Sequence, residues 1–203
     1  RLEPSSECLV YKGSCYQGVI DVFLNPVGRP VVVNEVRLET YLESVVPREL
    51  GPRSYPQLEA LKAQAVAART FAVSSLGMYA HQGYDVFRDS RSQEYPGMAS
   101  LDPLSSRAVR ETRGAVATYQ GRPIVALYSS TCGGKTEAFN LIFKGGAIDY
   151  LCGGAICSDQ SSRYYQWQES IDLKTREAAL KNYAGFEKVK DLSLIHISEP
   201  TRL

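Results

Sequence analysis

The sequence predicts an α+β fold: a β-rich core with a long central Ala-rich helix. Three observations predict it. The N-terminal third alternates apolar and polar residues, as in Val19, Ile20, Val22 and Leu24. One stretch, residues 56–77, opens on Pro56, closes on Gly77 and is dense in alanine. Two apolar runs then flank Gln120-Gly121-Arg122-Pro123 in the pattern of a β-hairpin. A chain of 203 residues with 44% hydrophobic and 22% charged residues can bury a full core. A net charge of +1 gives no basic excess, which argues against nucleic acid as a partner. No apolar run approaches the ~20 residues needed to span a bilayer.

Taken in order, residues 8–36 read as β structure, with Asn25-Pro26-Val27-Gly28 as a turn before a second run from Pro30 to Val36. Leu38, Tyr41, Leu42 and Val45 follow at helical spacing, so a short helix over 37–46 delivers the chain to Pro47. A turn between Pro47 and Pro52 then carries Glu49, just ahead of the long helix. That helix puts Leu58, Leu61, Ala65, Ala68 and Phe71/Ala72 along one face. Lys62 and Arg69, seven residues apart, share a side, either as a solvated edge or as a cationic face beside Glu49. Residues 78–104 lack periodicity and read as a long irregular loop. A helix over 105–112, capped by Ser105 or Ser106 and ended by Gly114, precedes the hairpin. Further on, Tyr164, Tyr165 and Trp167 lie in a polar strand-like segment, and Asp172 caps a helix running to Tyr183.

The second cluster of chemistry is SSTCGGKTE, residues 129–137. Adjacent glycines let backbone N–H groups approach a ligand closely. The run lacks the upstream glycine of a phosphate-binding P-loop, which argues against a nucleotide. Among five cysteines, Cys8/Cys15 and Cys152/Cys157 have spacings that could close small loops in an oxidising compartment; reduced, partly buried thiols are the alternative.

Together, YLESVVPREL, LEALKAQAVAARTFA, SQEYPG, RAVRETRGAVATYQGRPIVALYSSTCGGKTE and YYQWQESIDL resemble the stage II sporulation protein D family (the SpoIID/LytB domain). They occur in the family's order and cover roughly residues 16–185. The resemblance implies a peptidoglycan lytic transglycosylase, which cleaves the β-1,4 bond from N-acetylmuramic acid to N-acetylglucosamine and leaves a 1,6-anhydro end. Its substrate would be peptide-stripped glycan strands, and its setting extracytoplasmic. The catalytic acid maps onto Glu49. One carboxylate suffices where the sugar's own C6 hydroxyl is the nucleophile, whereas hydrolysing glycosidases generally need two. The role calls for a raised pKa, for which Val45, Val46 and Leu50 offer apolar surroundings.

The resemblance further implies a substrate cleft lined by Gln93 and Tyr95, with Tyr128 to Glu137 across from the acid. Ser130, Thr131 and Thr136 would bond sugar hydroxyls or N-acetyl groups; Glu137 would be a second carboxylate or a charge at a helix N-terminus. Lys62 and Arg69 would bind sugar or support structure. No cofactor and no metal are expected. The His-Cys pair that some members use for zinc is absent from Ser90-Arg91-Ser92-Gln93, and a site from Cys132, Cys152 and Cys157 is the weaker reading. The alternative function is a non-catalytic wall-binding amidase enhancer, with an amidase or sporulation machinery as partner. Residues 1–191 are expected to form one such domain, truncated at both ends. The run over 192–203 resembles a translated sequencing-library adapter and is expected not to be native.

Overall fold

A computed structural model describes residues 1–4, 7–54 and 56–168, and is mixed α+β. The helix expected from Asp172 to Tyr183 lies outside the described residues. The chain divides into two compact units at Tyr128/Ser129.

The first unit opens with two hairpins. Strands β1 (Leu9–Tyr11) and β2 (Ser14–Tyr16) pair antiparallel around Lys12-Gly13, and Cys8 is bonded to Cys15 across their open end. Strands β3 (Val19–Leu24) and β4 (Pro30–Glu35) pair from Val19↔Glu35 to Leu24↔Pro30. Their turn is closed by Asn25, whose carbonyl accepts the Gly28 N–H at 2.8 Å and whose side chain accepts the Arg29 N–H at 2.9 Å. The alternation read from the sequence is present: Ile20 is buried while Val22 and Leu24 are exposed.

Helix α1 (Leu38–Glu49) is longer than the sequence suggests, because it runs through Pro47. A proline there lacks the N–H that would reach the carbonyl of Glu43. The turn still closes, through the Leu50 N–H on the Val46 carbonyl at 2.9 Å. Glu49 is therefore the last residue of a helix and not part of a free turn. Helix α2 (Leu58–Ser74) is the Ala-rich segment, and it turns Leu61, Ala65, Ala68, Arg69 and Ala72 inward. Helix α3 (Pro103–Glu111) begins two residues earlier than expected. Asp102 is its cap, accepting the Ser105 N–H at 2.9 Å, with Pro103 in the first turn. The hairpin β5 (Thr118–Tyr119) and β6 (Arg122–Pro123) is joined by Gln120-Gly121 alone. Both turn residues have positive φ (49° and 77°), as a two-residue hairpin turn requires.

The core corrects the expectation of a β-rich interior. Tyr41, Leu42, Val45, Val46, Leu61, Ala65, Ala68, Ala72, Ala108 and Val109 come from α1, α2 and α3; the strands add only Tyr16 and Ile20. Each described sheet has just two strands, too few to bury a face on its own. The long 78–104 segment also differs from expectation, since Gln93, Tyr95 and Gly97 are buried in the helical core. Gly97 has φ +73°, and a Cβ there would meet the Cys15 carbonyl at 2.5 Å, so only glycine fits.

Arg69 ties the helices together. It is 1% exposed. Its Nε and Nη2 donate to the two carboxylate oxygens of Glu39 on α1, at 2.9 and 2.7 Å. Nη2 also donates to the Val109 carbonyl of α3 at 3.2 Å, and Nη1 to the Ala115 carbonyl at 3.1 Å. The guanidinium lowers the pKa of Glu39 chiefly through these hydrogen bonds.

In the second unit, described over residues 129–168, the disulfide is Cys132–Cys157. This corrects the Cys152/Cys157 pairing; Cys152 is unpaired and exposed. Lys135 forms an antiparallel bridge with Ile156, reinforced by Thr136 N–H on the Ala155 carbonyl at 2.9 Å and Gly154 N–H on the Thr136 carbonyl at 2.8 Å. Helix α4 (Phe139–Ile142) follows. Tyr164 and Tyr165 fall in turns instead of a strand.

Two outcomes follow from the Arg69 hub. Arg69→Lys loses the fork that bonds α1 and α3 together, so urea unfolding should show a loss of about 3–5 kcal/mol, close to that of Arg69→Ala. The Glu39 pKa lies below its ordinary 4.5 in the folded state. Its stabilisation is thus complete above that value and is lost as pH falls through the lower folded pKa. Wild type should therefore lose more stability than Glu39→Gln between pH 6 and pH 3, measured by urea midpoints.

A candidate carboxylate site at the end of the first long helix

Glu49 takes its position from α1. Tyr41, Val45 and Glu49 recur every four residues, so once the helix continues past Pro47 they share a face. Val45 is fully buried and Tyr41 nearly so, which draws the Glu49 side chain half into the interior. There its Oε1 accepts the backbone N–H of Glu94 at 2.9 Å. That N–H belongs to the buried 93–97 segment, so the carboxylate is held by backbone the core has already fixed.

Two phenols feel the charge of Glu49. Burial is the main cause that pushes the Tyr41 hydroxyl well above its ordinary pKa of 10, with the charges of Tyr128 and Glu49 adding to it. Tyr128 is raised in the same way, by burial first and Glu49 second. Both are neutral phenols at any physiological pH. Gln93 joins them: Tyr41 Oη donates to its Oε1 at 3.0 Å, and its Nε2 donates to Tyr128 Oη at 3.0 Å and to the Ala68 carbonyl at 3.3 Å. Gln64 Nε2 lies close enough to Tyr128 to oppose its shift, but outside hydrogen-bonding geometry.

Several residues expected to touch a ligand are engaged elsewhere. Gln93 is 1% exposed with both ends of its amide bonded, so it positions the phenols and presents nothing to a ligand. Tyr95 is buried between Tyr16 and Tyr41, its hydroxyl donating to Asn34 Oδ1 at 2.7 Å; burial pushes its pKa up to about 12. Arg69 is the buried hub described above. Lys62 pairs with Glu59 at 2.8 Å and Glu111 at 2.7 Å, so it belongs to a surface ion-pair cluster. With Arg107 it pulls the Glu111 pKa down to about 2. For Gln93, Tyr95 and Arg69 the physical reason is shared: polar side chains on core-facing positions must be satisfied internally, whereas Lys62 is held by its surface ion pairs.

The remaining candidates lie in the second unit. Thr131 is buried, its hydroxyl 2.6 Å from that of Ser162. Thr136 Oγ1 accepts the Ala155 N–H at 3.0 Å. Ser130 and Glu137 are exposed, and Glu137 precedes α4. The backbone N–H groups of Cys132 and Gly133, expected to face a ligand, instead donate to Asp159 Oδ2 at 2.6 and 3.0 Å. Cys132, Cys157 and Asp159 bring potential metal ligands within 4.8 Å of one another. Both sulfurs are spent in the disulfide and are not thiolates, so the donor set does not fit a metal. Sequence reasoning missed Tyr41, Glu94 and Asp159. Only Tyr41 left a signal, the four-residue spacing to Glu49, hidden by ending the helix at Val46.

No helix among the described residues is long and apolar enough to cross a membrane. Comparison with known proteins gives a consistent result. Residues 28–119 match the family model described as Stage II sporulation protein. An uncharacterized protein of Brachyspira hyodysenteriae is 36% identical over 76% of this chain and 41% of its own length. The Amidase enhancer of Bacillus subtilis is 38% identical over 54% of this chain and 14% of its own length. Stage II sporulation protein D of Bacillus subtilis is 35% identical over 63% of this chain and 42% of its own length. The chain thus spans less than half the length of each of these relatives, and the region that the family model matches contains Glu49, α1, α2 and α3. Over residues 28–119, and along the relatives named above, the chain is similar to the stage II sporulation protein D family.

Proposed function

We propose that this chain is a peptidoglycan lytic transglycosylase acting on peptide-stripped glycan strands, with Glu49 as its single acid and base. The observation that carries this reading is the setting of Glu49. Glu49, the residue of VVPREL onto which the family resemblance maps the acid, is a half-buried carboxylate anchored by a backbone N–H and near two neutral phenols.

The chemistry needs no second carboxylate. In this reading Glu49, in its acid form, gives its proton to the glycosidic oxygen as the bond from the muramic acid C1 breaks. The carboxylate so formed takes the proton of the C6 hydroxyl of the same sugar while O6 closes on C1. The products are a free 4-hydroxyl and a 1,6-anhydro ring, and Glu49 ends protonated as it began. In this reading Tyr41 and Tyr128 are hydrogen-bond partners near the developing charges, and Gln93 holds them. Ser130, Thr131, Thr136 and Glu137 are proposed as sugar contacts at the level of their loop. The two disulfides support an extracytoplasmic setting.

A second reading draws on the relative named Amidase enhancer. There the chain binds wall strands and modulates an amidase without cleaving glycan.

Peptide-free glycan strands incubated with wild type should yield anhydro-ended fragments by mass spectrometry. Glu49→Gln should lower the yield about 10²–10⁴-fold with an unchanged thermal midpoint. Equal activity in the variant would remove Glu49 from the role. Strand retention by wild type with no fragments at all would favour the enhancer reading.

A further inference from the structure

Beside the Glu49 position, α1 and the loop after it face a small hollow of about 360 Å³. One wall is Pro47, Arg48, Gly51, Pro52 and Arg53; the other is Pro96 and residues 99–102. We propose that this hollow is a carboxylate-binding subsite, and that its ligand is the lactyl carboxylate of a muramic acid residue whose peptide has been removed. The proposal rests on the glycan-strand reading above and specifies how the strand is recognised.

Charge is the first argument. Arg48 and Arg53 are exposed, and among the described residues neither forms an ion pair, in contrast to Lys62, Arg69, Arg91 and Arg107. The one carboxylate in the lining, Asp102, has Oδ1 committed to the Ser105 N–H as the cap of α3. The hollow therefore keeps a net positive charge. Guanidinium groups suit carboxylates because their paired N–H donors match two oxygens at once.

Rigidity is the second. Three prolines, Pro47, Pro52 and Pro96, fix the lining backbone. Ser100 donates to the Ser44 carbonyl at 2.7 Å, and Ser44 in turn donates to the Gly97 carbonyl, which pins the far wall to α1. A subsite already in its bound shape loses little on ordering when a ligand arrives.

Position is the third. Arg48 immediately precedes Glu49, and the Glu94 N–H that holds the Glu49 carboxylate lies two residues before Pro96 in the hollow's wall. The same two segments thus carry the acid and the cationic rim. In intact peptidoglycan the lactyl group is an amide and carries no charge; peptide removal turns it into a carboxylate on every muramic acid. N-Acetylglucosamine offers no charge at all. A subsite carrying Arg48 and Arg53 on the segment that bears the acid would make strand recognition follow peptide removal.

Binding is the direct test, in a Glu49→Gln background so that strands are not consumed. Three ligands are compared by calorimetry at low salt: peptide-free glycan, the same glycan with its lactyl carboxylates converted to methylamides, and peptide-bearing glycan. The free acid should bind on the order of tenfold more tightly than the methylamide, a preference that shrinks with added salt. Arg48→Gln/Arg53→Gln should abolish the preference, and Arg53→Gln alone, outside any helix, should reduce it about threefold. Equal binding of acid and methylamide, or a preference that survives the double variant, would overturn the subsite; Arg48 would then serve only its helix terminus. Peptide-bearing strands bound as tightly as the free acid, and weakened by the double variant, would shift the carboxylate to the stem peptide and overturn the lactyl assignment. Because the readout is binding, a failure to form anhydro ends would count against the proposed activity and leave this result standing.

Discussion

A single guanidinium, that of Arg69, sets the arrangement on which the first unit depends. Burying a charge is expensive unless it is paired and its donors are filled. Here both are met by groups on different elements: the Glu39 carboxylate of α1, the Val109 carbonyl of α3 and the Ala115 carbonyl beyond it. Hydrophobic contact among Leu42, Val45, Leu61, Ala68 and Val109 is non-directional and would tolerate several helix angles. The fork of Arg69 tolerates few. Small alanines on α2 let the neighbouring helices come close, and the ion pair selects the angle at which they do so.

From that geometry the surroundings of Glu49 follow. With α1 fixed against α2, the Ala68 carbonyl and Tyr41 hydroxyl stand where the amide of Gln93 can bridge them. Gln93 then anchors the 93–97 segment, and the next residue supplies the N–H that holds Glu49. Tyr128, the last residue of the first unit, is bonded to the same amide. Each group in the chain of contacts is buried or half-buried and has a defined partner, so the carboxylate inherits its position from the core and not from a loose turn.

Much of this was readable from residues. The alternation through Val19–Leu24 and the Asn25–Gly28 turn marked the second hairpin, and alanine density marked α2 to within a turn. What was misread shares a cause. Pro47 reads as a helix stop, yet a proline in the last turn forfeits only one bond, and the helix continues. Gln93 and Tyr95 read as ligand contacts because they are polar and embedded in recognisable motifs; of the two roles open to Arg69, sugar binding or structural support, the packing gives it the second. Whether a polar side chain faces a ligand or a buried carbonyl is decided by tertiary packing, which local pattern does not carry. The Cys132–Cys157 bond is a case of the same kind, joining residues 25 apart while a nearer partner, Cys152, is left exposed.

Asp159 has a consequence of its own. Its carboxylate occupies the backbone N–H groups of Cys132 and Gly133, the place where a glycine-rich loop would otherwise receive an external anion. The loop is in effect self-ligated. A phosphate, sulfate or wall-polymer anion seeking those donors must displace a tethered competitor whose effective concentration is far above that of any solute. Among anionic solutes or polymers, such a loop ignores bulk charge and keeps its shape.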